Sequence, residues 1–117
     1  MKINIIVLLI KNKPNKIMAT EIKEINGMFQ IVGSITSANC HAIKSHLEST
    51  LVTGKDLLLS IEKVISIDAS GAFILEALYK KAGLENLVIS IFGLENDDIQ
   101  EVMSTTKTRY ILSNDRV

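Results

Sequence analysis

The tetrapeptide Asp68-Ala69-Ser70-Gly71 sets a carboxylate two residues before a hydroxyl. Such a pair could supply an acid and a nucleophile. A serine nucleophile needs an adjacent base that is itself oriented by a third group. No such set accompanies Ser70, so enzyme chemistry is the weakest reading of this stretch. The plainer role for Asp68 is to cap a helix, by accepting hydrogen bonds from the N–H groups two and three residues on. His41 and His46 lie five positions apart, about 140° round a helix, so they cannot share a metal as an i, i+4 pair could. Cys40 precedes His41, but adjacent helical side chains point in different directions and make a poor thiol–imidazole pair. Glu76 reads as a rim glutamate, or as a charge at an interface. Lys80 and Lys81 complement a helix C-terminus. The glycines 33, 54, 71, 83 and 93 are too widely spaced for a phosphate-binding loop. Neither a cofactor nor a metal is expected.

These residues need elements to place them. "VISIDASGAFILEALYKKAG", residues 64–83, opens as a buried strand and closes as an amphipathic helix. Ile74, Leu78 and Ala82 at spacing four give that helix, over about 70–82, one stripe, and Gly83 stops it. Upstream, Asn26-Gly27 joins "EIKEI" to "MFQIVG". Both residues tolerate positive φ, which predicts a hairpin with strands at about 20–25 and 28–33. In "SITSANCHAIKSHLESTLVTG", Ile43, Leu47 and Leu51 mark a helix that Thr36 or Ser37 can cap and Gly54 can end. "DLLLSI" at 56–61 is a uniform apolar run suited to a strand covered on both faces, and "VISI" extends it past Glu62-Lys63. "NLVISIFG" at 86–93 is a further buried strand, and Glu95 to Met103 is a helix with Asp97 and Asp98 in its first turn. "TRYIL" at 108–112 is the expected last strand. The order β-β-α-β-α-β-α-β predicts an α/β fold: a mixed sheet of about four to five strands with helices packed mainly on one side.

Composition narrows the function classes. At 117 residues the chain has the size of a single domain. Thirteen basic residues balance thirteen acidic ones, so no global field draws in nucleic acid or an anionic membrane. The absence of Trp argues against base-stacking platforms. Cys40 is the only cysteine, which excludes an internal disulfide and fits a reducing cytoplasm. "MKINIIVLLI" is about half the ~20 residues that a membrane helix requires, so direct insertion is not expected. Its β-branched run suits an edge strand; alternatively, translation begins at Met18 and the segment lies outside the natural domain. A secretory signal is a third reading, but no small-x-small cleavage pattern follows. The chain therefore divides into an N-terminal extension, 1–18, and a domain, 19–117.

A buried strand, Asp-x-Ser-Gly, then a helix ending Tyr-Lys-Lys-Ala-Gly resembles the STAS domain family, whose best-known members are bacterial anti-sigma factor antagonists. The hairpin, the "GSIT" stretch before the first helix and the order of elements extend the resemblance over about residues 20 to 112. It implies a single STAS-like domain and a non-enzymatic signalling switch. In the family the tetrapeptide reads Asp-Ser/Thr-Ser/Ala-Gly, and a kinase-type partner phosphorylates the residue after the Asp. A phosphate there adds roughly −1.5 to −2 charge at the contact surface and repels the partner.

This chain departs from the pattern at three positions. Ala69 stands at the phosphosite and has no hydroxyl; Ser70, one residue on and about 100° further round the helix, is the only nearby acceptor. Thr36 stands where many members carry an acid that helps engage the partner. Phe73 stands where the family often has Gly. It either tucks into the edge of the core or stays exposed as an apolar anchor. The resemblance thus implies partner binding through Thr36, Asp68, Ala69, Ser70, Gly71 and Phe73, with an anti-sigma factor of kinase type as partner. The alternative it carries is a non-catalytic subunit of a larger assembly, such as an ABC-type lipid transport system, with its ATPase as partner, or a stress-signalling complex.

Overall fold

The computed structural model describes residues 3–11 and 17–113, with side chains from residue 20 onward. The polar stretch 12–16, part of the proposed N-terminal extension, and residues 114–117 lie outside the described residues. The chain begins with strands β1 (Ile3–Lys11), β2 (Ile17–Ile25) and β3 (Met28–Ile35). Helix α1 (Cys40–Leu51), strand β4 (Leu57–Ile67) and helix α2 (Ala69–Leu84) follow. Strand β5 (Ile89–Phe92), helix α3 (Asp97–Thr105) and a 3-10 turn (Arg109–Ile111) complete the order.

The strands lie side by side in sequence order. β1, β2 and β3 form an antiparallel meander, and β4 and β5 extend it in parallel. The hairpin between β2 and β3 turns on Asn26 (φ 52°) and Gly27 (φ 85°), the two positive φ values that a two-residue turn needs. Ile25 pairs with Met28 across it. A parallel pair needs a crossover, and α1 and α2 supply the two that join β3 to β4 and β4 to β5.

Alternation along the strands sets the core. Phe29, Ile31, Ile89 and Ile91 are buried, while Met28, Gln30, Ser90 and Phe92 between them are half-buried. The helices therefore cover one face. Ile43, Leu47 and Leu51 of α1, Leu75 and Leu78 of α2, and Ile99 and Met103 of α3 are all buried there. Glu48 of α1 meets Lys44 at 2.8 Å and Lys81 of α2 at 3.0 Å, tying the two helices at the surface. The hydrogen bonds from Lys44 and then Lys81 hold the Glu48 carboxyl below its ordinary range.

Three expectations need correction. α2 buries Gly71, Ala72, Leu75, Leu78 and Ala82, so Leu75 belongs to the stripe and Ile74 is only partly buried. Gly83 is helical and does not stop α2. Asn86 takes the left-handed conformation (φ 60°) instead. Its N–H donates to Gly83 O and that of Leu87 to Ala82 O, which closes the helix in a Schellman pattern. "VISI" extends the strand past Glu62-Lys63 as expected: β4 runs unbroken to Ile67, while the β3–β4 register shifts on either side of Val32 and Gly33. The buried Asn96 donates to Ile61 O (2.8 Å) and Val64 O (2.7 Å), stitching the irregular Glu62-Lys63 stretch between them. Finally, "TRYIL" is not a strand. Lys107 (φ 60°) reverses the chain, and the Thr106 hydroxyl bonds back to Val102 O at 2.8 Å. The segment curls into the 3-10 turn, and only Leu112 reaches the sheet, in a single bridge to Ile91.

No helix among the described residues is long and apolar enough to cross a membrane. Replacing Leu75 or Leu78 with Ala should cost about 2–5 kcal/mol in urea unfolding. Leu84→Ala, at a position 86% exposed, should cost under about 0.5 kcal/mol. Equal losses would contradict the assigned burial of α2.

Candidate functional site

β4 ends at Ile67 and delivers Asp68 in an extended conformation (φ −105°, ψ 179°) at the mouth of α2. Its Oδ1 accepts from the Gly71 N–H at 2.8 Å, which is the expected cap. Its Oδ2 accepts from the Ser37 N–H at 3.0 Å, in the turn between β3 and α1. Its own N–H donates to Ile35 O at 3.2 Å, at the end of β3. One residue thus binds the start of α2 to the preceding crossover. Gly71 permits this closeness. A β-carbon there would lie 2.5 Å from Ile35 O and 2.8 Å from Ile35 Cγ2.

The adjoining turn is held from beneath. Asn39, 3% exposed, accepts from the Thr36 N–H through Oδ1 at 2.9 Å. Its Nδ2 donates to Thr20 Oγ1 at 3.1 Å and to Ser34 O at 2.8 Å. Thr20 Oγ1 in turn donates to Ser34 O at 2.8 Å. A buried amide makes this many bonds only if its surroundings are built for it. Neither Thr36 nor Ser37 caps α1. Asn39 occupies the N-cap position, with its side chain turned back to the loop, and the Thr36 hydroxyl accepts from the Ala38 N–H within its own turn. The signal was available in the sequence: an Asn directly before the first helical residue, Cys40, is a favoured cap.

Thr36, Asp68 and Gly71 are therefore brought into one knot of main chain. Gly71 is buried and shapes the turn, whereas Ala69 and Ser70 are exposed on the first turn of α2. Ser37 and Ala38 are exposed beside them. Phe73, one turn along, is 50% exposed and does not tuck fully into the edge of the core. Ile65, three residues before Asp68 on β4, is 63% exposed and carried no sequence signal, because its run reads as buried strand.

The other candidates separate. Cys40 is 1% exposed, and burial, followed by the charge of Asp68, pushes its thiol up, away from the reactive thiolate. His41 is exposed, while His46 is half-buried with its ring edge-on to Phe29 at 5.9 Å. Glu76 accepts from the Tyr110 hydroxyl at 2.6 Å, which raises the tyrosine's pKa by stabilising its protonated form. No group of three His, Cys, Asp or Glu able to hold a metal occurs among the described residues. Both Asp68 oxygens are committed to backbone N–H groups, so Asp68 is a clamp and not a base aimed at Ser70.

Gly71→Ala should destabilise the fold by about 1–3 kcal/mol in urea unfolding, through overpacking against Ile35. Asp68→Ala should cost about 1–2 kcal/mol, because it removes a cap and a loop tie together. A Gly71→Ala protein as stable as wild type would refute the close approach.

No curated protein matches the chain. A crystal structure of Mglu is similar over 70% of this chain, with a TM-score of 0.50 and 11% identity. This chain spans 18% of that protein's length, and the likeness shows the fold alone. An uncharacterised protein of the DUF3478 family with a SpoIIAA-like fold, from Shewanella loihica, is 19% identical. That match covers 80% of this chain and 70% of the other, with a TM-score of 0.43. The STAS domain family model matches residues 16–112, from the start of β2 to the bridge at Leu112. The chain belongs to the STAS domain family.

Proposed function

We propose that this chain is a non-enzymatic, cytoplasmic protein-interaction module of the anti-sigma factor antagonist type. It docks a regulatory protein on the patch formed by the start of α2 and the Thr36–Ala38 turn. The observation that carries this reading is the Asp68 clamp. It fixes two separate turns side by side, with Ala69, Ser70, Ser37 and Ala38 uncovered around it. Small residues leave the backbone approachable, and Phe73 adds an apolar anchor at the edge of the patch. Membership of a family of interaction modules supports the same conclusion.

Ala69 changes how such a module is controlled. Without a hydroxyl it cannot receive phosphate, so the surface stays in its unmodified form. That favours a second reading, a constant subunit of an assembly such as an ABC-type lipid transport system, where the partner is the transporter ATPase. In either case the same patch is the contact.

Immobilised wild-type protein should retain its partner. Ser70→Asp and Phe73→Ala should each weaken retention at least about tenfold, equivalent to ~1.4 kcal/mol. Val52→Asp, at an 85% exposed position outside the patch, should change nothing. If Ser70→Asp and Phe73→Ala both bind fully, the contact lies elsewhere. Ala69→Ser separates the two partner classes: a kinase-type partner phosphorylates position 69 of the variant, detected by mass spectrometry, and a transporter ATPase does not. Phosphate on Ser70 of the wild type would contradict a permanently unmodified surface.

A further inference from the structure

The two edges of the sheet are built differently. β5 is a four-residue strand, and its outer side is met by the Leu112 bridge and by the Ser113 N–H, which donates to Ile91 O at 2.6 Å. β1 is a nine-residue strand paired along its whole length with β2 on one side. Among the described residues, no strand lies on its other side. A long free edge offers its backbone N–H and C=O groups to any other strand. Proteins ordinarily blunt such edges with charge, proline or bulges. β1 reads Ile-Asn-Ile-Ile-Val-Leu-Leu-Ile-Lys, with no proline, no bulge in its register and a charge only at its last residue. The family match begins at residue 16, so this strand is an addition to the shared domain.

The strand is complementary to itself. Laid antiparallel on a second copy about a two-fold axis at Val7, every residue of β1 finds an opposite number. Val7 faces Val7, Ile6 faces Leu8, Ile5 faces Leu9, Asn4 faces Ile10 and Ile3 faces Lys11. The two lysines fall at opposite ends, so no like charges meet. Faces are also preserved. Ile6 is in register with Ile22 of β2, which is buried, so this pairing puts position 8 of the second copy on the same sheet face as Ile22. A parallel pairing in register would instead place the lysines together and would not close by two-fold symmetry.

We propose that β1 is a homodimer edge, pairing antiparallel with β1 of a second copy about Val7 to give one sheet continuous through both copies. The Asp68 patch lies at the C-terminal ends of β3 and β4, separated from this edge by β2, and remains available on each copy.

Light scattering on the full chain should give twice the 12.9 kDa chain mass. Cysteine mapping reads the register, since opposed residues in an antiparallel pair lie within disulfide reach. Under oxidation, Val7→Cys should form a covalent dimer by itself. Ile5→Cys and Leu9→Cys should each fail alone and crosslink when mixed. The native thiol, Cys40, is buried and does not compete. Val7→Lys puts like charges across the axis and should halve the mass. Glu21 opposite position 7 in β2 gives that lysine a partner within its own copy, so the melting transition should stay cooperative. A monomeric wild type overturns the proposal, as does a mixture of Ile5→Cys and Leu9→Cys that crosslinks no better than either alone.

Discussion

The Asp68 carboxylate is the tie on which the rest of this surface depends. Its two oxygens are committed to amides from different crossovers: Gly71 in the same turn, and Ser37, 31 residues earlier. In a parallel β-α-β unit, neighbouring loops at the strand ends have no ladder to hold them together. Here the Asp68 side chain adds its bonds to the one from its own N–H to Ile35 O, and Gly71 lets the α2 backbone settle against Ile35 O closely enough for it to reach. Beneath it, Asn39 fixes the Thr36 turn to Thr20 and Ser34, so the surface loops rest on buried hydrogen bonds and not on apolar packing alone.

Much of this was legible in the sequence where one physical rule dominated. Asn26-Gly27 announced the hairpin because few other residues accept two positive φ values. Asp68 announced a helix start because carboxylates seek free N–H groups. Legibility failed where two rules competed. Gly83 carries the usual stop signal, yet Asn86 turns the helix off, because the chain runs one further half-turn before Leu87 returns to the core. "TRYIL" has strand composition, but the left-handed Lys107 and the Thr106 hydroxyl bend the segment before it can extend. The second bond of Asp68 was invisible, since nothing local links residue 68 to residue 37.

Ala69 keeps the small size that an exposed helix start needs and carries no hydroxyl. On the proposed function, the shape of the patch is retained without a charge switch at that position. The solvent side of α2 is apolar over its first half, with Ala69, Phe73 and Ala77 exposed, and turns charged at Lys80 and Lys81. A helix apolar on more than its core face is suited to a protein partner, and this is consistent with a contact that extends beyond the first turn.

Amide hydrogen exchange on the Asp68→Ala protein tests the clamp most directly. Loss of one carboxylate should release the protection of Ser37 and Gly71 together, while amides in the centre of β3 stay slow. If Gly71 alone loses protection and Ser37 keeps its own, Asp68 is a helix cap and nothing more, and the two turns are held side by side by some other force.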